Sequence, residues 1–306
     1  MKYIVSGYIG FDNFGDEAIA HVLSEKLKKD GAEKVTLISS NPEKTKVLYK
    51  VDSCPMLKFL PALIGSDVLV SGGGSLLQDV TSLKSLIYYL IVIYSALFLR
   101  KKVWIYAQGI GPINSKVGQI LTKFALKKAE KISVRDQKSQ ELLKSWGIES
   151  ELVKDPIFEL ELPQNNSKGT VGVQLRKFEG VNDNFLEKLA DEIAKRFSDK
   201  KIEVISLQDS IDTEVCEEFA QKLKTKGLNN VEVLKELSLN DVFETISNLE
   251  YLIAMRFHAN VVGIKSGVKT LAINYDPKVE KLAQEYNLPY INLDYKDFSE
   301  QFGRLF

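Results

Sequence analysis

Short apolar runs alternate along this chain with longer stretches in which apolar residues recur every three or four positions. Strand-length runs fall at 3–6, 35–39, 67–71, 103–107, 132–135 and 152–154. The first is followed by a stretch, 15–30, in which Ala18, Ile19, Val22, Leu23 and Leu27 share one helical face. Strands alternating with helices predict parallel β–α–β units. The pattern stops at 163–169, which is polar, turn-rich and without apolar period. It then restarts, with strand-length runs at 171–175, 202–207, 231–234, 251–254, 270–274 and 290–293. The chain therefore reads as α/β: two Rossmann-like domains with mainly parallel sheets, 1–162 and 170–306, joined by a linker at 163–169. The tail, 298–306, is expected to form a last helix that packs back on the first domain. Two such halves suggest a GT-B-like architecture, whose site lies in the cleft, outside the carboxyl ends of strands in both halves.

Composition agrees and narrows the function. A length of 306 residues fits two domains of roughly 100–200 residues each. Lys plus Arg and Asp plus Glu both number 41, so no basic excess points to bulk nucleic-acid binding. Cys54 and Cys216 lie far apart and form no metal or redox motif. The first residues run straight into a strand without a signal-peptide pattern, so a cytoplasmic location is expected. The stretch 85–99 is uncharged, with Lys84 before it and Arg100, Lys101 and Lys102 after it. It is too short to read readily as a bilayer span, which takes roughly 18–20 residues. A buried helix covering a sheet and a helix exposed to a membrane surface or a partner remain as alternatives.

The candidate chemistry follows the strands. The loop 7–17 carries Gly7, Gly10, Asn13, Gly15 and Asp16 ahead of a helix. Its amides suit an anion or a hydroxyl-rich ligand, and its acids equally suit the helix dipole. Gly72, Gly73 and Gly74 follow the third strand and would bare backbone N–H groups. Asp79 beyond them is a candidate base or hydroxyl contact, or a helix cap. Gln108-Gly109-Ile110-Gly111-Pro112 and Ser133-Val134-Arg135-Asp136 follow the next two strands. In the second half, Ala254-Met255-Arg256-Phe257-His258-Ala259-Asn260 sets an arginine and a histidine where a strand gives way to a short helix. That combination suits phosphate or carboxylate, with the histidine as a general acid. The chain uses six arginines against 35 lysines, and Arg135, Arg176 and Arg256 all stand at strand ends, where bidentate anion recognition would need them. With only His21 and His258 present, no multi-histidine metal site can form, so no metal is expected.

Taken in order, Gly15-Asp16-Glu17, Gly72-Gly73-Gly74, Gln108 to Pro112, Ser133 to Asp136 and Met255-Arg256-Phe257-His258-Ala259 resemble the polysaccharide pyruvyl transferase family. Within it, the chain is most similar to CsaB-like enzymes of cell-wall polysaccharide synthesis. The resemblance implies a GT-B-like fold and phosphoenolpyruvate as co-substrate, with no cofactor. The implied product carries a pyruvate ketal across two sugar hydroxyls. It also implies two arginines and a histidine on the donor, carried here to Arg135, Arg256 and His258 as catalytic residues. Gly72, Gly73, Gly74, Gln108, Gly109 and Arg176 would complete the donor site, Arg176 being a rival to Arg135. Asn13, Gly15, Asp16 and Asp79 would meet the acceptor. The family more often has Leu at the position of Phe257. The acceptor implied is a saccharide, lipid-linked by expectation, at the inner face of the membrane, with 85–99 as the candidate membrane contact. A nucleotide-sugar-dependent GT-B glycosyltransferase is the alternative, with Asp276 and Glu280 as candidate ribose contacts.

Overall fold

The structure is a computed structural model that describes residues 1–306 except Thr81, Gln164, Ser167, Lys168 and Tyr295. Three residues of the expected linker, Gln164, Ser167 and Lys168, thus lie outside the described ones. The chain divides into two compact units, Met1–Leu160 and Glu161–Phe306.

The first unit holds β1 (Lys2–Ser6), β2 (Lys34–Ser39), β3 (Asp52–Pro55), β4 (Val68–Gly72), β5 (Lys102–Gln108), β6 (Lys131–Val134) and β7 (Glu151–Leu152). They form one sheet in the order β3-β2-β1-β4-β5-β6-β7. Every pairing is parallel. A parallel sheet is covered on both faces, so its central strands are continuous apolar runs, as Ile4-Val5 and Val68-Leu69-Val70 are. The strand β3 has no such run. Its Asp-Ser-Cys-Pro sequence sits at the sheet edge, where a proline costs no ladder bond.

The second unit holds β8 (Thr170–Gln174), β9 (Lys201–Ile205), β10 (Val231–Leu234), β11 (Tyr251–Ala254), β12 (Lys269–Asn274) and β13 (Tyr290–Asn292). Their order is β10-β9-β8-β11-β12-β13, again parallel throughout. Phe185, Phe197 and Phe219 are fully buried in its core, each stabilising by about 1.5–3 kcal/mol relative to exposure. The tail packs on this unit, which corrects the expectation that it returns to the first. Phe298, Phe302 and Leu305 recur at helical spacing and enter the second core, with Phe298 edge-on to Phe185 at 5.6 Å.

Both sheets reverse their strand order once, between β1 and β4 and between β8 and β11. In parallel sheets this switch point, at the carboxyl ends of the strands, opens a crevice where ligands bind. The glycine loops after Ser6 and Gly72 flank the first. Arg176 and the Arg256–His258 segment flank the second.

The helix Leu83–Phe98, uncharged after Lys84, has two characters. Leu86, Tyr89, Leu90, Ile93 and Ala96 are buried, while Leu83, Ile87, Ile91 and Phe98 are exposed. Among the described residues, no helix is long and apolar enough to cross a membrane.

Candidate functional site

Four loops of the first unit meet at the carboxyl edge of its sheet. Asn13 caps the helix Phe14–Lys29, its side chain accepting from the Gly15 amide at 3.2 Å. Glu17 folds back under the first loop, accepting from the Gly10 amide at 2.7 Å and from the Tyr49 hydroxyl. Burial holds its carboxyl above the ordinary range, against the pull of those two hydrogen bonds. Glu17 thus fixes the loop from beneath, and Asp16 lies beside the next one.

The three glycines let that helix settle on the loop after β4. A Cβ at Gly72 would stand 2.5 Å from Leu23 Cδ2, and one at Gly73 2.0 Å from Ile19 Cγ2. At Gly74 it would stand 2.8 Å from Asp16 Oδ1. Gly73 and Gly74 also have positive φ. The Gly73 amide donates to the Tyr106 carbonyl at 2.8 Å, and the Gly109 amide to the Gly74 carbonyl at 2.9 Å. The run therefore serves close packing, and the Gly73 and Gly109 amides are engaged with backbone rather than bared.

The register of β5 against β6 shifts between Ile105 and Gln108, with Ala107 at φ +47°. Gln108 is fully buried, its Nε2 donating to Ser71 Oγ at 2.7 Å. What the loops do bring together is Arg135. Its Nη1 donates to Asp155 Oδ2 at 2.6 Å and its Nη2 to Ser75 Oγ at 3.1 Å. Gly109 lies between Ser75 and Asp136. Asp79 turns to a different task. Its two oxygens accept from the Asn114 and Ser115 amides at 2.7 Å each, and these bonds hold its carboxyl below the usual range.

In the second unit, β11 ends and Arg256 becomes the N-cap of the helix Phe257–Lys265. The Arg256 amide donates to Gln174 Oε1 at 2.7 Å, tying the segment to the end of β8. Its side chain forms a bidentate pair with Asp212: Nε to Oδ2 and Nη2 to Oδ1, both 2.7 Å. Nη2 also reaches Gln208 Oε1 at 3.1 Å. The arginine is 8% exposed and Asp212 fully buried. Nη1 is left as the donor with no hydrogen bond among the described residues. Asn260 Nδ2 donates to the Ala254 and Arg256 carbonyls, bracing the same turn. Phe257 packs on Ala272, Val279 and Ala283, so the following residue, His258, rotates away from that cluster. His258 is half-buried in the first turn of the helix, where backbone amides and the dipole favour an anion. Arg176 stands over the Tyr275 ring at 5.4 Å, with Nη1 3.4 Å from the Tyr275 hydroxyl. Asp276 caps the helix Pro277–Glu285, accepting from the Lys278 amide at 3.0 Å.

Asp155, Asp212, Ser75 and Tyr275 were not among the sequence candidates. Asp212 left a signal: it stands on the helix face of Val215, Cys216, Phe219 and Leu223, an acid in an apolar stripe. Asp155 left a weaker one, an Asp-Pro step after a two-residue strand. Among the described residues no group of three or more His, Cys, Asp or Glu is placed to hold a metal ion.

The family model for polysaccharide pyruvyl transferases matches residues 13–277. No match is found among curated proteins. Among solved structures, the chain is similar to UDP-GlcNAc 2-epimerase from Methanocaldococcus jannaschii, with TM-score 0.66 and 12% identity over 99% of this chain and 90% of that one. It is similar to Anabaena Alr3699/HepE in complex with UDP-glucose (TM-score 0.62, 14% identity, 100% and 88% covered). It is also similar to UDP-GlcNAc 2-epimerase from Neisseria meningitidis bound to UDP-GlcNAc (0.62, 11%, 100% and 91%). At such identities the likeness is one of fold, and it agrees with the GT-B-like class expected from the sequence.

Proposed function

The chain belongs to the polysaccharide pyruvyl transferase family, and from that premise we propose that it moves the pyruvyl group of phosphoenolpyruvate onto two hydroxyls of a cell-wall polysaccharide sugar. The observation that carries the reading is the Arg256–His258 segment. A buried carboxylate orients the arginine, a helix start surrounds the histidine, and both stand at the switch point of a parallel sheet. Phosphoenolpyruvate has a phosphate and a carboxylate, and an arginine held by a second group offers its free donor without reorganisation.

In the proposed reaction, a proton adds to the methylene carbon and one sugar hydroxyl adds to the neighbouring carbon. The bond from that carbon to the phosphate oxygen breaks, and the second hydroxyl closes the ring. Of the two hydroxyl protons, one ends in the new methyl group and the other on phosphate. His258 serves as general acid or steadies the leaving phosphate. Arg256, through Nη1, neutralises a donor anion, and Arg176 and Arg135 are further donor contacts. Asn13, Gly15 and Asp16 remain the acceptor candidates. The hydrogen bonds of Asp79 favour an anchoring role at the helix Lys116–Leu126 over that of a base. The acceptor is proposed to be lipid-linked, with the protein at the inner face of the membrane.

Calorimetric titration with phosphoenolpyruvate tests the donor, with UDP-glucose in parallel. The wild type is expected to bind phosphoenolpyruvate, and Arg256→Ala to weaken it at least about tenfold, the loss of one charged hydrogen bond. His258→Ala is expected to keep binding and to lose on the order of a hundredfold or more in turnover. Binding of UDP-glucose alone would move the reaction to glycosyl transfer.

A further inference from the structure

The first unit turns large apolar side chains outward. In the helix Lys116–Leu126 the buried positions are Gly118, Thr122, Ala125 and Leu126, while Val117, Ile120, Leu121 and Phe124 are exposed. These recur at i, i+3, i+4 and i+7, so they form one solvent-facing stripe. The helix Leu83–Phe98 shows a second stripe, and Tyr94 joins the two helices by stacking on Phe124 and donating to the Leu121 carbonyl at 2.9 Å. A short helix, Phe59–Ile64, forms a third wall. Between them runs an open groove of about 560 Å3 lined by Leu60, Ile64, Ile87, Ile91, Phe98 and Leu121 among others. Phe98, in its lining, is 87% exposed, and Leu57, just before the helix Phe59–Ile64 in the chain, is 98% exposed. These exposed apolar side chains gather around one groove rather than lying scattered singly, as is normal on a globular surface.

Charge says what covers it. Residues 80–129 carry eight Lys or Arg and no Asp or Glu, and residues 53–66 carry Lys58 and no acid, in a chain of zero net charge. The basic residues adjoin the exposed apolar ones: Leu57-Lys58, Leu83-Lys84, Phe98-Leu99-Arg100, Lys116-Val117 and Lys123-Phe124. Lys58, Lys84, Arg100 and Lys116 have no ion pair among the described residues. Packing this face on a second copy about a two-fold axis would bring like-charged rims together. An anionic lipid surface satisfies both parts at once, apolar side chains entering the acyl boundary while lysines and arginines meet headgroups.

We propose that the stripes at 57–64, 83–98 and 116–124 form a platform that seats this protein on anionic lipid, without spanning it. The platform stands apart from the reaction. It also orients the unit, because the helices Leu83–Phe98 and Lys116–Leu126 follow β4 and β5 and so begin at the sheet edge that bears the glycine loops.

Vesicle co-sedimentation of the full chain tests this without substrate, using phosphatidylcholine alone and phosphatidylcholine with phosphatidylglycerol. Two variants accompany it: Ile91→Asp with Phe98→Asp, and Lys58→Gln with Lys84→Gln and Arg100→Gln. All five positions are exposed, and circular dichroism checks that the fold is kept. The wild type is expected to pellet with the anionic vesicles and to be released by salt. Each basic side chain adds roughly fivefold in affinity, so the triple variant is expected to bind on the order of a hundredfold more weakly. The aspartate pair is expected to abolish pelleting. Equal binding by wild type and variants, or no binding to either vesicle, would overturn the proposal. So would a dimer in sedimentation velocity that the aspartate pair dissolves while vesicles stay unbound.

Discussion

Arg256 and Arg135 share a device that neither residue reveals alone. Each stands just beyond a strand and gives its guanidinium to a buried aspartate, Asp212 in one case and Asp155 in the other. An arginine paired this way is costly to bury and costlier to leave alone, because removing one partner strands the other charge out of water. Asp212→Ala is therefore expected to destabilise the second unit by about 3–5 kcal/mol, and Asp212→Asn by less, since the amide still accepts one bond from Arg256. Urea unfolding followed by far-ultraviolet circular dichroism measures both. A loss under about 1 kcal/mol for the alanine variant would mean that the pair is not integral to the turn. The pairing also bears on function. The carboxylate fixes the guanidinium by its Nε–Nη2 edge, so on the proposed reading a donor anion would meet an arginine already in place rather than one it must order.

At the scale of elements, the helix Phe14–Lys29 and the glycine loop after β4 specify one another. Gly73→Ala would add a methyl against Ile19 and force alanine into positive φ, an expected cost of about 2–4 kcal/mol. The partner Ile19→Ala removes the clash but not the backbone strain. The double variant is thus expected to be more stable than the sum of the two losses by about 1 kcal/mol. Urea unfolding read by tryptophan fluorescence checks it, and simple additivity would show that the contact does not set the glycine requirement. The location of this loop was legible in the sequence, because an apolar run closing on small residues marks a strand end wherever it occurs. Its role was not, since part of the need for glycine comes from Ile19 and Leu23, about fifty residues away on another element. The same reason hid β3, whose Asp-Ser-Cys-Pro becomes a strand only by pairing at the edge of β2. The bond from Gln108 to Ser71 was likewise not legible, because it joins two strands 37 residues apart. Asp212 was readable in principle, as the one acid on an apolar helix face.

At the scale of the molecule, each unit has a large apolar core of its own among the described residues. Trp104 and Trp146, the two tryptophans, both lie in the first unit. Their fluorescence reports that unit, whereas far-ultraviolet circular dichroism reports both. Phe219 is fully buried in the second core, and Phe219→Ala is expected to cost that core about 3–5 kcal/mol. The dichroism midpoint in urea is then expected to fall while the fluorescence midpoint holds. Leu90, buried in the first core, supplies the converse: Leu90→Ala is expected to lower the fluorescence midpoint by an amount matching about 2–5 kcal/mol. Should both signals fall together in both variants, the cores unfold as a single cooperative block. Any stabilisation by a donor bound at Arg256 would then reach the first unit as well, and fluorescence alone would suffice to follow binding. With separate midpoints, a donor held at Arg256 in the second unit would raise only the dichroism midpoint.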